Sequence, residues 1–319
     1  MISRLWVYQQ ERFPIVTNGL LVIGFSLSAV SYSVLLRARS LDPIQLKQIG
    51  SLWQFEQFSL PQSIAAALIA WVVIFLFCLQ LRIADEFKDY TEDFRYRPYR
   101  PVPRGLVTLR DLGLLAIACA AVQLGLSLAI HPKLILPLLL VWVYIALSSQ
   151  HFFVPNYLKA YPLAYLFSQA LIMPLIAFYA TACDWLKFGP PPQGIVVLLL
   201  VCLANGLVLE MGRKIRAPKD EERGIVTYTA RWGVIKSTMA WLLAIWFMTV
   251  TTIPAASYVS FTTPILVCLT FLLALSALVV WQFLSRPTTT WASRFEFMSN
   301  VWSLLIYPCL GLIPLLLRH

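Results

Sequence analysis

The sequence predicts an all-α, polytopic membrane protein with about nine transmembrane helices around a central cavity. Three observations predict it. Hydrophobic residues make up 59% of the 319 and charged residues only 13%, about half the share near 25% found in soluble domains. The apolar residues gather in runs of roughly 20, the length that crosses a hydrocarbon core of about 30 Å. The basic residues are shared unevenly among the connections between those runs. This composition excludes intrinsic disorder and an ordinary soluble globular domain.

In chain order the runs cover residues 14–36, 63–83, 106–130, 133–153, 160–183, 192–212, 234–255, 260–284 and 297–317. His131-Pro132-Lys133 separates the third from the fourth. The polar, proline-bearing stretch from Val154 to Pro162 separates the fourth from the fifth. The first run is too long for a signal peptide and is followed by no small-residue cleavage site. Residues 37–62 form the longest connection on their side and carry Trp53, Phe55 and Phe58; they suit an interfacial helix or a plain loop. There is no evident internal repeat or domain-separating linker, so residues 1–319 read as a single transmembrane domain.

Nine spans place the termini on opposite sides. Of 25 Lys and Arg, 19 fall at the amino terminus and in the connections after spans two, four, six and eight, and six fall on the other side. By the positive-inside rule the amino terminus and the two long charged connections face the cytoplasm. Orientation therefore accounts for the net charge of +10, and the sequence carries no nucleic-acid-binding motif. Cys78, Cys119, Cys183, Cys202, Cys268 and Cys309 have no paired spacing, and the three histidines are far apart. Neither set suggests a disulfide framework or a zinc site.

The acidic residues carry the chemical signal. Of fifteen, five lie in Asp85–Asp93 and four in Glu210–Glu222, and both clusters follow an even-numbered span, so they share one membrane face. Asp85, Asp89 and Asp93 recur every four residues. On a continuing helix they line one side, one turn apart. Like charges at that spacing destabilise a bare helix, whereas oxygen ligands on successive turns suit Mg²⁺. Glu86 and Glu92 flank the row. The basic, proline-stiffened stretch Arg95-Tyr96-Arg97-Pro98-Tyr99-Arg100-Pro101-Val102-Pro103-Arg104-Gly105 follows, and arginine forks suit phosphate oxygens. In the second cluster, Glu210 and Lys214 stand at i, i+4, the spacing of a simple intrahelical ion pair. Arg213, Arg216, Asp220, Glu221 and Glu222 follow. Carboxylates, Mg²⁺ and arginines at the mouth of an apolar helical cavity suit a phosphate head with a long apolar tail, as in a prenyl diphosphate.

Arg82-Ile83-Ala84-Asp85-Glu86-Phe87-Lys88-Asp89-Tyr90-Thr91-Glu92-Asp93 resembles the first aspartate-rich motif of the UbiA superfamily of intramembrane prenyltransferases. That motif reads Asn-Asp-x-x-Asp-x-x-x-Asp, followed by an Arg-Pro-Leu-Pro-Ser-Gly-like turn. Arg100-Pro101-Val102-Pro103-Arg104-Gly105 stands in the turn's place. Nine helices with motifs after the second and sixth are also that family's architecture. The chain departs at Asp85 and Glu86, where the family has Asn and Asp. The second motif departs further. Gly224-Ile225-Val226-Thr227-Tyr228 and Asp220 match its end, but Arg213, Lys214 and Arg216 occupy the region of the expected acids. Two readings follow: Glu210 and Asp220 still hold a second Mg²⁺, or the second metal is lost and cations replace it.

The resemblance implies a Mg²⁺-dependent enzyme of isoprenoid biosynthesis. It would ionise a polyprenyl diphosphate and transfer the prenyl group to an aromatic or lipid-like acceptor. Asp85, Glu86, Asp89, Asp93, Glu210 and Asp220 would hold metal. Arg82, Arg97, Arg100, Lys214 and Arg216 would grip diphosphate, with Asp85, Asp89 and Lys214 central to catalysis. Of the polar residues within spans (Asn18, Gln123, Ser168, Gln169, with His151 at the end of one), an interhelical hydrogen bond is the ordinary role. Asn18 and Gln169 are the candidates for touching the acceptor. A terpene cyclase on the same scaffold would share the ionisation step. A divalent-metal transporter or a catalytically inactive scaffold would use the same carboxylates differently.

Overall fold

The computed structural model describes residues 2–39, 60–222 and 227–317. The aromatic-bearing stretch around Trp53, Phe55 and Phe58 and the Gly224-Ile225-Val226 part of the second motif lie outside the described residues. Those described are helical and joined by short turns, with no strand among them. An amphipathic helix α1 (Ile2–Arg12) precedes the first span, α2 (Ile15–Arg39). Next come α3 (Leu60–Lys88), the short α4 (Tyr90–Tyr96), α5 (Leu109–Ile130) and α6 (Ile135–Ser149). They are followed by α7 (Pro155–Ala160), α8 (Pro162–Ala170), α9 (Ile172–Trp185) and α10 (Ile195–Gly212). The chain ends in α11 (Tyr228–Tyr258), α12 (Thr262–Ser285), α13 (Thr289–Leu310) and α14 (Leu312–Leu316).

Nine stretches among the described residues are long and apolar enough to cross a membrane, as the hydropathy pattern predicts. Several extend beyond the predicted limits. The second runs on to Lys88, the seventh starts at Tyr228 and the ninth at Thr289. These extensions are polar enough to escape a hydropathy reading but are held by local signals. Thr227 and Thr288 cap α11 and α13 through their hydroxyls, and Thr108 with Asp111 forms a capping box on α5. Prolines open α7 and α8, where a missing N–H costs nothing. Pro174 has no N–H to donate to Ala170, and the fifth span breaks between α8 and α9.

α2 sits centrally, against α3, α9 and α13. Its buried Ser26, Ser28, Ser31 and Ser33 are small enough to admit neighbouring backbones. The closest approach is at Gly311, where a Cβ would stand 1.9 Å from the Ser28 carbonyl oxygen. Trp241, Trp302, Tyr32, Tyr179 and Phe77 fill the interior. Leu114, Ile117, Leu136, Leu243, Trp246, Phe271 and Trp281 are exposed. Such an outward apolar surface would be a liability in water and is what lipid contact requires. The chain is an integral, multi-pass membrane protein. At one end, Arg37 donates to both carboxylate oxygens of Asp184 at 2.9 and 2.7 Å, and Ser33 adds a third bond at 2.7 Å. This cluster ties α2 to α9.

Candidate active site

The opposite end of the bundle carries both charged motifs. α3 continues through Asp85, and the chain turns at Asp89 into α4. Two helical hydrogen bonds bridge the turn. Asp89 N donates to Asp85 O at 2.9 Å and Asp93 N to Asp89 O at 2.8 Å, so the three aspartates are spaced one turn apart. The following stretch then folds back, and Gly105 takes a left-handed φ of 77°, a conformation without steric cost only for glycine.

α4 forms one wall of a cavity of about 540 Å³ with Asp89, Glu92, Asp93, Tyr96 and Arg97. The facing walls come from His151, α7 (Leu158, Lys159), α8 (Pro162, Tyr165), Lys214 and the start of α11 (Thr227, Tyr228, Ala230, Arg231). His151, Phe152 and Phe153 have successive φ values of 49°, 53° and 58°. Three non-glycine residues there are strained, and such strain collects at functional sites. Burial, with Lys88 and Lys159 nearby, lowers the His151 pKa and favours its neutral imidazole.

The predicted site residues separate into three groups. Asp89, Asp93, Arg97 and Lys214 line the cavity. Asp93 is buried between Arg97, at 3.3 Å, and Arg100. Asp89 has no hydrogen bond or ion pair to its carboxylate among the described residues. Burial and the adjacent Asp85 raise its pKa. A second group stands behind the cavity wall. Asp85 lies loosely between Arg82 at 3.7 Å and Lys88 at 3.8 Å. Glu210 is held by Lys214 Nζ at 2.8 Å and Arg213 Nε at 2.7 Å. Gln169 accepts from Lys88 Nζ at 3.1 Å. The third group lies apart. Glu86 is buried against Arg12 of α1 at 2.5 Å. Arg216 faces Glu222 at 3.5 Å. Asp220, at the end of a single 3₁₀ turn, is absent from the cavity lining. Asn18 lines a different, apolar cavity of about 250 Å³ with Phe25, Ile74, Met173, Asn205 and Tyr307.

Sequence reasoning missed Lys88 and Tyr165. Lys88 Nζ and Lys214 Nζ both approach the Tyr165 hydroxyl, at 3.3 and 3.4 Å. The only trace in sequence is spacing: Lys88 sits within the first motif, and Tyr165 lies one turn before Gln169. Tyr228 was also passed over; its hydroxyl is buried without a partner among the described residues.

No three His, Cys, Asp or Glu side chains converge into a preformed metal cage among the described residues. Mg²⁺ does not need one, since it is usually held by one or two carboxylates with water and substrate phosphate. Asp89, unpaired and facing the cavity, with Asp85 one turn behind, is a donor set of that kind. Glu221 is already committed, accepting from Thr227 at 2.7 Å and Thr229 at 2.6 Å.

A profile of the UbiA prenyltransferase family matches residues 50–301. The fold is similar to that of a UbiA homologue from Aeropyrum pernix K1, with a TM-score of 0.62 at 14% identity over 88% of this chain and 94% of that one. It is similar to a UbiA homologue from Archaeoglobus fulgidus bound to DMAPP and Mg²⁺, with a TM-score of 0.51 at 15% identity over 92% and 98% of the two chains. It is also similar to a structure from work on digeranylgeranylglyceryl phosphate synthase, with a TM-score of 0.52 at 16% identity over 93% and 98%. No curated protein matches the sequence. The family profile spans most of the chain, and it covers both charged motifs and all but the first and the end of the last of the nine spans: the chain belongs to the UbiA prenyltransferase family.

Proposed function

We propose that this protein binds a polyprenyl diphosphate with Mg²⁺ in the 540 Å³ cavity, ionises it, and transfers the prenyl group to an aromatic or lipid-like acceptor. One observation carries the reading. The Asp89 carboxylate, without a hydrogen bond or ion pair among the described residues, lines one cavity with cations from both motifs, Arg97 and Lys214. The Archaeoglobus fulgidus homologue of similar fold binds DMAPP and Mg²⁺, and the residue types here suit the same pair.

In this proposal Asp85 and Asp89 hold the metal ion, and Asp93 sets the positions of Arg97 and Arg100. Bound there, Mg²⁺ would supply positive charge to the departing diphosphate oxygens. Arg97 and Lys214 bind the same diphosphate, which stabilises the charge that develops as the allylic C–O bond breaks. The rings of Tyr165 and Tyr228 line the cavity, where aromatic faces lower the energy of a carbocation and exclude water. The apolar lining of the cavity beside Asn18, with Phe25, Ile74 and Met173, is of the kind a lipid-soluble substrate requires. The positive-inside bias puts the motif face toward the cytoplasm.

The test is diphosphate release by the purified protein in lipid nanodiscs, given geranyl, farnesyl or geranylgeranyl diphosphate with Mg²⁺. The reading expects release that falls by at least about 100-fold in Asp89→Asn, the scale of losing one charge-stabilising group. No release from any of these donors, or release indifferent to Asp89→Asn, would overturn it. Incubation without an acceptor separates a cyclase, which would form hydrocarbon or alcohol products.

A further inference from the structure

We infer that the second motif is an anion site and not a metal site: Lys88 and Lys214, with the hydroxyls of Tyr165 and Tyr228, hold one phosphate of the substrate in place of a second divalent ion. The inference rests on the prenyl diphosphate reading above and gives that site its charge arrangement.

A divalent ion at the second motif needs acidic oxygens to spare. Glu210 is 5% exposed, and its two oxygens face Lys214 at 2.8 Å and Arg213 at 2.7 Å. Glu221 accepts from Thr227 and Thr229. Glu222 faces Arg216 at 3.5 Å, and Asp220 does not reach the cavity. A metal here would have to displace two cations from Glu210, one of them Lys214 of the cavity wall.

The Lys88 side chain stands directly behind the cavity lining, against Tyr165, and is only 3% exposed; its nearest carboxylate oxygen, on Asp85, is 3.8 Å away. Its close partners are neutral: the Tyr165 hydroxyl at 3.3 Å and the Gln169 amide oxygen at 3.1 Å. A buried ammonium without a close counter-charge is costly unless an anion completes it. Lys214 approaches the same phenol oxygen at 3.4 Å from the other motif. One tyrosine therefore spaces two ammonium groups that would otherwise repel. A phosphate beside it can accept from both. Tyr228 lines the same cavity, and its buried hydroxyl has no partner among the described residues. It is a donor awaiting an acceptor. Two monovalent cations and two phenols supply the charge and hydrogen bonds that a second Mg²⁺ would otherwise supply.

The experiment counts metal. Wild-type protein in nanodiscs is saturated with geranylgeranyl thiolodiphosphate, whose bridging sulfur resists ionisation, and titrated with Mn²⁺ followed by electron paramagnetic resonance. One bound Mn²⁺ per chain, with no spin coupling to a second, supports the inference. Two coupled Mn²⁺ ions overturn it and leave the prenyltransferase reading intact. Failure of the thiolodiphosphate to bind at all overturns both. Lys88→Gln and Lys214→Gln should each weaken thiolodiphosphate binding by about 10- to 100-fold, the worth of one charge-assisted hydrogen bond, while the Mn²⁺ count stays at one. Unchanged affinity in both variants would also overturn the inference. The wild-type metal count stands even where a lysine variant fails to fold.

Discussion

Gly206 sets how closely α10 approaches α8, and Gly206→Ala measures what that closeness is worth. A Cβ at Gly206 would lie 2.7 Å from the Ala170 carbonyl oxygen, 3.0 Å from Ala170 Cα and 3.1 Å from Met173 Cγ. Two of these atoms are backbone and cannot rotate away. Ordinary contact begins at 3.4 Å, so the helices must part by about 0.7 Å. Overpacking of this kind costs about 1–3 kcal/mol, while alanine in a helix regains up to about 1 kcal/mol over glycine. Gly125→Ala is the control: it is helical and would meet nothing within 4 Å, so it carries the propensity gain alone. The difference between the two variants isolates the packing cost at about 1–3 kcal/mol, or several degrees in Tm. The assay is thermal unfolding followed by tryptophan fluorescence, with both variants in one detergent. Separation of the helices also stretches the 3.4 Å contact between Lys214 and Tyr165, so thiolodiphosphate affinity should fall in Gly206→Ala and not in Gly125→Ala. A Gly206→Ala protein that melts at or above Gly125→Ala would show that this contact does not set the helix spacing.

Three further outcomes follow from the geometry. Arg12→Ala strands Glu86, a buried carboxylate whose partner stands at 2.5 Å; it should cost about 3–5 kcal/mol in thermal unfolding, and Arg12→Ala with Glu86→Gln should recover most of the loss. The Asp89 pKa is raised above 3.8, so the folded state binds a proton where the unfolded chain does not, and metal-free stability falls as pH climbs from the ordinary carboxylate range through the raised value. Melting curves across that window should show this slope in the wild type and lose it in Asp89→Asn, while Mn²⁺ affinity in the wild type should rise over the same window. Thr227→Val removes a hydroxyl that donates to Glu221 at 2.7 Å and caps α11; it should lower stability by about 1–2 kcal/mol and increase proteolytic cleavage between Asp220 and Tyr228.

The nine spans were legible because burial in lipid demands long uninterrupted apolar runs, and hydropathy reads those directly. Helix α1 was not, because a short amphipathic helix has no such run; its place is set by Arg12 reaching Glu86 and by Glu11 reaching Arg104 at 2.7 Å. The spacing of Asp85, Asp89 and Asp93 was readable since helical geometry fixes it locally. Which of those acids faces the cavity was not, because that depends on partners distant in sequence. Glu86 adjoins Asp85 in the same motif yet turns to α1. Lys88 and Tyr165 could not be singled out at all: each looks ordinary in sequence, and their meeting with Lys214 is a product of packing α3, α8 and α10 together. The second motif shows the converse. The i, i+4 ion pair expected for Glu210 and Lys214 is present at 2.8 Å, and the bland reading of those two residues becomes the reason to treat the motif as cationic.

The most direct test is a structure determined with Mg²⁺ and geranylgeranyl thiolodiphosphate. Diphosphate density is expected in the 540 Å³ cavity, with a metal ion beside Asp85 and Asp89 and one phosphate against Lys88, Lys214 and Tyr165. Diphosphate bound elsewhere, or a cavity free of it with Asp89 unengaged, would contradict this placement.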